Sequence, residues 1–170
     1  MKKILSLFIP VLFIIPVTSG QKTPADFGAM AFWCFQHNRL DSLFMVIPTM
    51  NDLSGFAKEL GIAPGTEAYS SFLNRYPLVI KSFTDKCYQI QRDSLEYKFS
   101  WVHAKLEKLE PQQKTIIPDN TPSKKPVTLT SVNIYFNSKG QMYTLKFGDL
   151  HLYSGIWKPG NNLSLTIQYQ

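Results

Sequence analysis

The chain has 170 residues, a formal net charge of +6, 44% hydrophobic and 18% charged residues. This length suits one domain with a sizeable core. The positive excess is mild: Lys105, Lys108, Lys114, Lys124 and Lys125 are the nearest thing to a basic cluster, but Glu107 and Glu110 interleave with them, so they read as a solvated loop and strand edge and no nucleic-acid partner is expected.

Residues 1–20 have the layout of a secretory signal peptide. Lys2 and Lys3 precede an uncharged apolar run from Ile4 to Val17, and the small residues Thr18, Ser19 and Gly20 lead into polar sequence. Cleavage after Ser19 or Gly20 removes two positive charges and no acid. The apolar run, interrupted by Pro10 and Pro16, falls short of the roughly 20 residues a membrane span needs. Cys34, the first cysteine, lies beyond the cleavage zone behind Ala31-Phe32-Trp33, so lipid attachment is not expected. The reading is an exported soluble domain, residues 21–170, periplasmic or secreted. Export permits a disulfide between Cys34 and Cys87, worth roughly 4 kcal/mol for so long a loop; two buried free thiols are the alternative.

Residues 21–98 read as mainly helical. Thr23 followed by Pro24 is a helix start, and Phe27, Met30, Ala31, Cys34 and Phe35 recur at helical spacing through His37. One or two further turns span Arg39 to Val46. Thr49 caps a segment from Asn51 to Leu60 that Gly61 ends, and Thr66 caps one from Glu67 to Arg75. Pro77 restarts a helix whose stripe, Val79, Ile80, Phe83, Cys87, Ile90 and Ser94, is core-forming.

From Leu95 the period changes: Leu95, Tyr97, Phe99 and Trp101 alternate with polar residues, which is strand periodicity, with helix continuation as the alternative. A strand is expected within Trp101–Leu109, and Pro111–Pro126 reads as a mobile loop. Four strands follow: Thr128–Asn137, Gln141–Phe147, Leu150–Trp157 and Leu163–Tyr169. Asn137 to Gly140 makes a turn that pairs Phe136 with Gln141, Ile134 with Tyr143 and Val132 with Leu145. Gly148-Asp149 makes a two-residue hairpin pairing Phe147 with Leu150, and the loop Lys158–Asn162 pairs Ile156 with Leu163. These registers place Val132, Ile134, Phe136, Tyr143, Leu145 and Phe147, then Leu150, Leu152, Ile156, Leu163, Leu165 and Ile167, on one apolar face. The fold class is α+β, with N-terminal helices packed on one face of a curved antiparallel meander of four to five strands.

The opposite face is rich in aromatic residues. Tyr135, Met142, His151, Tyr153 and Trp157 form a candidate interaction face, because such residues are enriched where chains meet; a homodimer through the sheet is the expected partner, with β-propensity alone as the alternative explanation. Metal-binding, nucleophile-elbow, phosphate-loop and calcium-loop motifs are missing, so no catalytic, cofactor or metal residue is assigned. Asp149-Leu150-His151 reads as turn and strand rather than an acid–base pair, and Asn162-Leu163-Ser164 as a chance sequon.

Two stretches carry a resemblance: Arg39-Leu40-Asp41-Ser42-Leu43 through Ile47-Pro48-Thr49, and Val132 to Tyr143 continuing to Gly155-Ile156-Trp157-Lys158. They resemble pieces of uncharacterised secreted bacterial proteins. The order of helices followed by a curved meander is similar to the nuclear-transport-factor-like and cystatin-like cone folds. The resemblance implies a helix-lined concave sheet, often with a pocket and often dimeric. The chain departs from the transport-factor layout, which places short strands between the early helices, so the cystatin-like topology stays open. The expected function is a non-enzymatic ligand-binding or protein-interaction module; the alternative is a pocket-containing hydrolase or isomerase.

Overall fold

The computed structural model describes residues 21–117 and 126–168. The signal-peptide reading, Lys124, Lys125 and residues 118–125 of the expected loop lie outside the described residues. Among the described residues, five helices come first: α1 (Pro24–Gln36), α2 (Leu40–Phe44), α3 (Met50–Glu59), α4 (Glu67–Asn74) and α5 (Tyr76–Glu96). A 3-10 turn (Trp101–His103) leads to β1 (Lys105–Ile116), β2 (Val127–Ser138), β3 (Gln141–Tyr153), β4 (Ile156–Lys158) and β5 (Leu163–Gln168). The strands form one open antiparallel sheet.

Three threonines start three helices. Thr23 accepts a hydrogen bond from the Asp26 amide while the Asp26 carboxylate accepts from the Thr23 amide, a reciprocal capping box. Thr49 and Asp52 repeat it on α3, and Thr66 accepts from the Tyr69 amide on α4. Pro77 sits in the first turn of α5, where its missing N–H costs nothing.

Three local expectations need correction. First, α5 runs through Glu96 and Leu95 to Trp101 is not a strand. Lys98 takes a left-handed φ of 55°, and the Lys98 and Phe99 amides bond back to the Leu95 and Ser94 carbonyls. This wrap ends the helix and folds Phe99 and Trp101 into the core. Second, residues 111–116 are not a loop but the second half of β1, with Pro111 opposite Val132. A proline is tolerated there because β1 is an edge strand. Third, Cys34 and Cys87 are free, both wholly buried between the helices and the sheet.

The meander also differs from its expected registers. Lys139 and Gly140, both with positive φ (54° and 83°), form a two-residue turn, so Ser138 pairs with Gln141 and Phe136 with Tyr143. This is a shift of two residues, which keeps every side chain on its face. Gly148-Asp149 is not a hairpin. β3 continues through it, and Leu150 pairs with Thr130 while Phe147 pairs with Val132. The extra residue on β3 is a bulge, with Asp149 at φ 55°. β3 therefore bends, and the two sides of the bend carry different neighbours. Its first half pairs with β5 (Phe147 with Leu163), its tail with β4 (Leu152 with Trp157). The loop between β4 and β5 presses on the bulge: the Gly148 amide donates to the Asn162 carbonyl, and a Cβ on Gly160 would lie 2.7 Å from the Cβ of Asp149.

The core lies where α1 and α5 cross the sheet. Phe27, Phe35, Phe83, Ile134, Phe136 and Phe147 are among its wholly buried members. Gly28 brings α1 close to β2, since a Cβ there would approach Val132 to 3.0 Å. The expected apolar face holds up to the bulge. Beyond it Leu150 is buried, but Leu152 is 54% exposed and Ile156 is also exposed, because the bend carries the β3 tail away from α1 and α5.

Candidate functional site

The β3 tail meets a second, smaller helical layer. Ala57, Leu60 and Ile62 form a separate buried cluster, with Phe56, Tyr69, Phe72 and Val127 packed against it. Phe56 projects from α3 onto the tail, 4.5 Å from the His151 ring and 6.3 Å from the Tyr153 ring, centroid to centroid. β4 is tied at Trp157 and Lys158. The Trp157 amide and indole donate to the Gln21 and Lys22 carbonyls. Lys158 meets the Asp52 carboxylate at 2.7 Å, with side chains only 14% and 11% exposed. Asp52 thus does two jobs, capping α3 and anchoring β4.

Between these layers lies a cavity of about 490 Å³. Phe56, Glu59 and Leu60 of α3 form one wall, and His151, Leu152, Tyr153 and Trp157 another. Gln113, Val127, Thr128 and Thr130, from the far ends of β1 and β2, close it. Thr130 stands opposite the bulge, is 1% exposed, and its hydroxyl is buried with no hydrogen-bond partner. A smaller, more apolar cavity of about 180 Å³ lies on the other side of Phe56, His151 and Tyr153, bounded by Leu53, Phe72, Tyr76 and Val79 among others. The three rings form the partition between the two.

Burial sets the protonation states of this partition. It holds the His151 imidazole below the usual histidine pKa, against a weaker opposing effect from Asp149, so the ring is neutral at neutral pH. It pushes the Tyr153 phenol up, helped by the nearby Asp52 and Glu59 carboxylates. For Asp52, burial raises the pKa, but the hydrogen bonds from Lys158 and Thr49 outweigh it and the carboxyl ends below its usual value. The His151 and Tyr153 side of the cavity thus presents neutral polar tips set in aromatic surface, facing Glu59 on α3.

The five residues of the expected interaction face do not stand together. Tyr135 and Met142 are on the outer face of the sheet. There the Tyr135 hydroxyl donates to Glu110, which also pairs with Lys108 at 2.6 Å. His151, Tyr153 and Trp157 line the cavity instead. Their grouping follows from the bulge, which the hairpin reading of Gly148-Asp149 concealed. Phe56, Glu59 and Thr130 are not among the residues the sequence marks as a site. Phe56 and Leu60 at helical spacing signalled only a buried face, and nothing local marks which strand that face meets.

No family model, no curated protein and no solved structure matches this chain. The α+β class therefore rests on the helices-then-sheet architecture described above, and the functional reading rests on the cavity.

Proposed function

We propose that this is an exported, non-enzymatic domain that binds a small ligand in the cavity between α3 and the β3 tail. The cavity itself carries the reading: about 490 Å³ is within the range of small-molecule sites, and aromatic walls with a few convergent polar groups are what such sites use. The signal-like residues 1–20 support export. Of the described residues, no helix is long and apolar enough to cross a membrane. The helices-on-curved-sheet layout is of the kind found in nuclear-transport-factor-like and cystatin-like cones. A fragment screen by amide and indole NMR tests the binding. Hits of any class should shift His151, Thr130 and the Trp157 indole together; a broad screen that leaves these signals still would overturn the reading.

The second reading is a hydrolase or isomerase using the same cavity, favoured by the half-buried neutral His151 beside Tyr153. It requires turnover that is lost in His151→Gln while ligand binding persists. The partner reading is a homodimer through the outer sheet face. Tyr135 and Met142 support it, and the Lys108–Glu110–Tyr135 network makes the contact surface a polar one. Sedimentation as a monomer at high micromolar concentration would overturn it.

A further inference from the structure

We propose that the ligand of the α3–β3 cavity is an organic cation, a small ammonium or quaternary-ammonium compound; this rests on the ligand-binding reading above. Three independent features of the walls select positive charge. The first is aromatic surface. Phe56, Tyr153 and Trp157 line the cavity together with the His151 ring. Trp157 spends its indole N–H on the Lys22 carbonyl, so what remains for a ligand is π-surface. Such surface attracts desolvated cations and is the usual cage for quaternary ammonium groups.

The second feature is net charge. Among the described residues, Glu59 is the only charged side chain in the wall, and no ion pair involving it occurs there. Lys158, beside the lining residue Trp157 and nearly buried, is already neutralised by Asp52 at 2.7 Å. The third is the backbone. Glu59 and Leu60 are the C-terminal end of α3; the Leu60, Ile62 and Gly61 amides bond the Phe56, Ala57 and Lys58 carbonyls there, and the negative end of the helix dipole still favours cations. An anion would meet the helix end, the ring faces and Glu59, all of the wrong sign. The protein's overall positive charge offers a cation no long-range steering, so selection is local to this cavity.

The test is a titration of the full-length protein with choline and with its uncharged isostere 3,3-dimethylbutan-1-ol, followed by NMR at the cavity residues. Choline should shift the Trp157 indole and the His151 and Tyr153 amides, and bind about tenfold or more tightly than the isostere. Glu59→Gln, a change at an exposed position that keeps shape, should erase most of that preference; Glu67→Gln, outside the cavity, should not. Isostere binding equal to or tighter than choline overturns the cation assignment while the ligand-binding reading stands. Undiminished choline preference in Glu59→Gln, or shifts confined to residues outside the cavity, also overturns the assignment. If neither these probes nor any neutral fragment moves the cavity signals, the binding reading itself fails.

Discussion

His151 carries a stability cost that depends on pH with a definite sign. Its folded-state pKa is lowered, chiefly by burial under Phe56. The unfolded chain therefore takes up a proton at a higher pH than the folded one does. Stability is full above the ordinary histidine value, and falls as pH drops through about 6.5 towards the lowered folded value. Urea unfolding at about pH 8 and about pH 5 should show this loss, and His151→Phe should flatten it. Asp52 works in a separate, more acidic window. Its pKa is held down, so its contribution is present above the usual carboxylate value and disappears as pH falls through the lowered one. Its partner is the more informative site to change. Lys158→Met leaves Asp52 charged in a nearly buried position, and should cost about 3 kcal/mol in chemical denaturation. Adding Asp52→Asn to that variant should recover part of the loss.

At the level of elements, the bulge at Gly148-Asp149 decides where everything after Leu150 goes. The loop that packs on it leaves room only for glycine at two points. Gly160→Ala would drive a Cβ to 2.8 Å from the Asp149 carbonyl oxygen, whereas Gly148→Ala would meet the side chain of Asn162 at 2.9 Å. Backbone cannot yield as a side chain can, so Gly160→Ala should lower the thermal midpoint more than Gly148→Ala; the reverse order would show that Asn162, not the bulge, holds the loop. The same bulge marks the limit of what was legible in sequence. Helix starts at Thr23, Thr49 and Thr66 could be read because a cap is settled within four residues. Gly148-Asp149 could not, because glycine followed by a residue at positive φ serves a hairpin and a bulge equally well. Which one forms depends on Leu150 finding Thr130, a partner twenty positions earlier. The end of α5 failed for a related reason: Leu95, Tyr97, Phe99 and Trp101 alternate as a strand would, yet Lys98 turns the chain before they can pair.

For the whole molecule, the α+β division and the main core were visible in periodicity, since alternation in β2 and β3 and the stripe of α5 each point one face inward. The cavity was not, because its walls come from α3, the ends of β1 and β2, and the tail of β3, and no sequence neighbour links them. The core also holds a property of practical use. Cys34 and Cys87 are each 0% exposed, and burial pushes both thiols up to about 12. One sits on α1 and the other on α5, the two helices that seal the sheet. A thiol reagent can reach neither until those helices part, so modification should be gated by opening of the protein rather than by sulfur chemistry. Both thiols should label with one shared rate that rises with denaturant, and faster labelling of one alone would reveal a helix that detaches by itself. In an oxidising compartment the chain's chemical lifetime would then be set by how rarely it unfolds, and the two cysteines would serve as its internal clock.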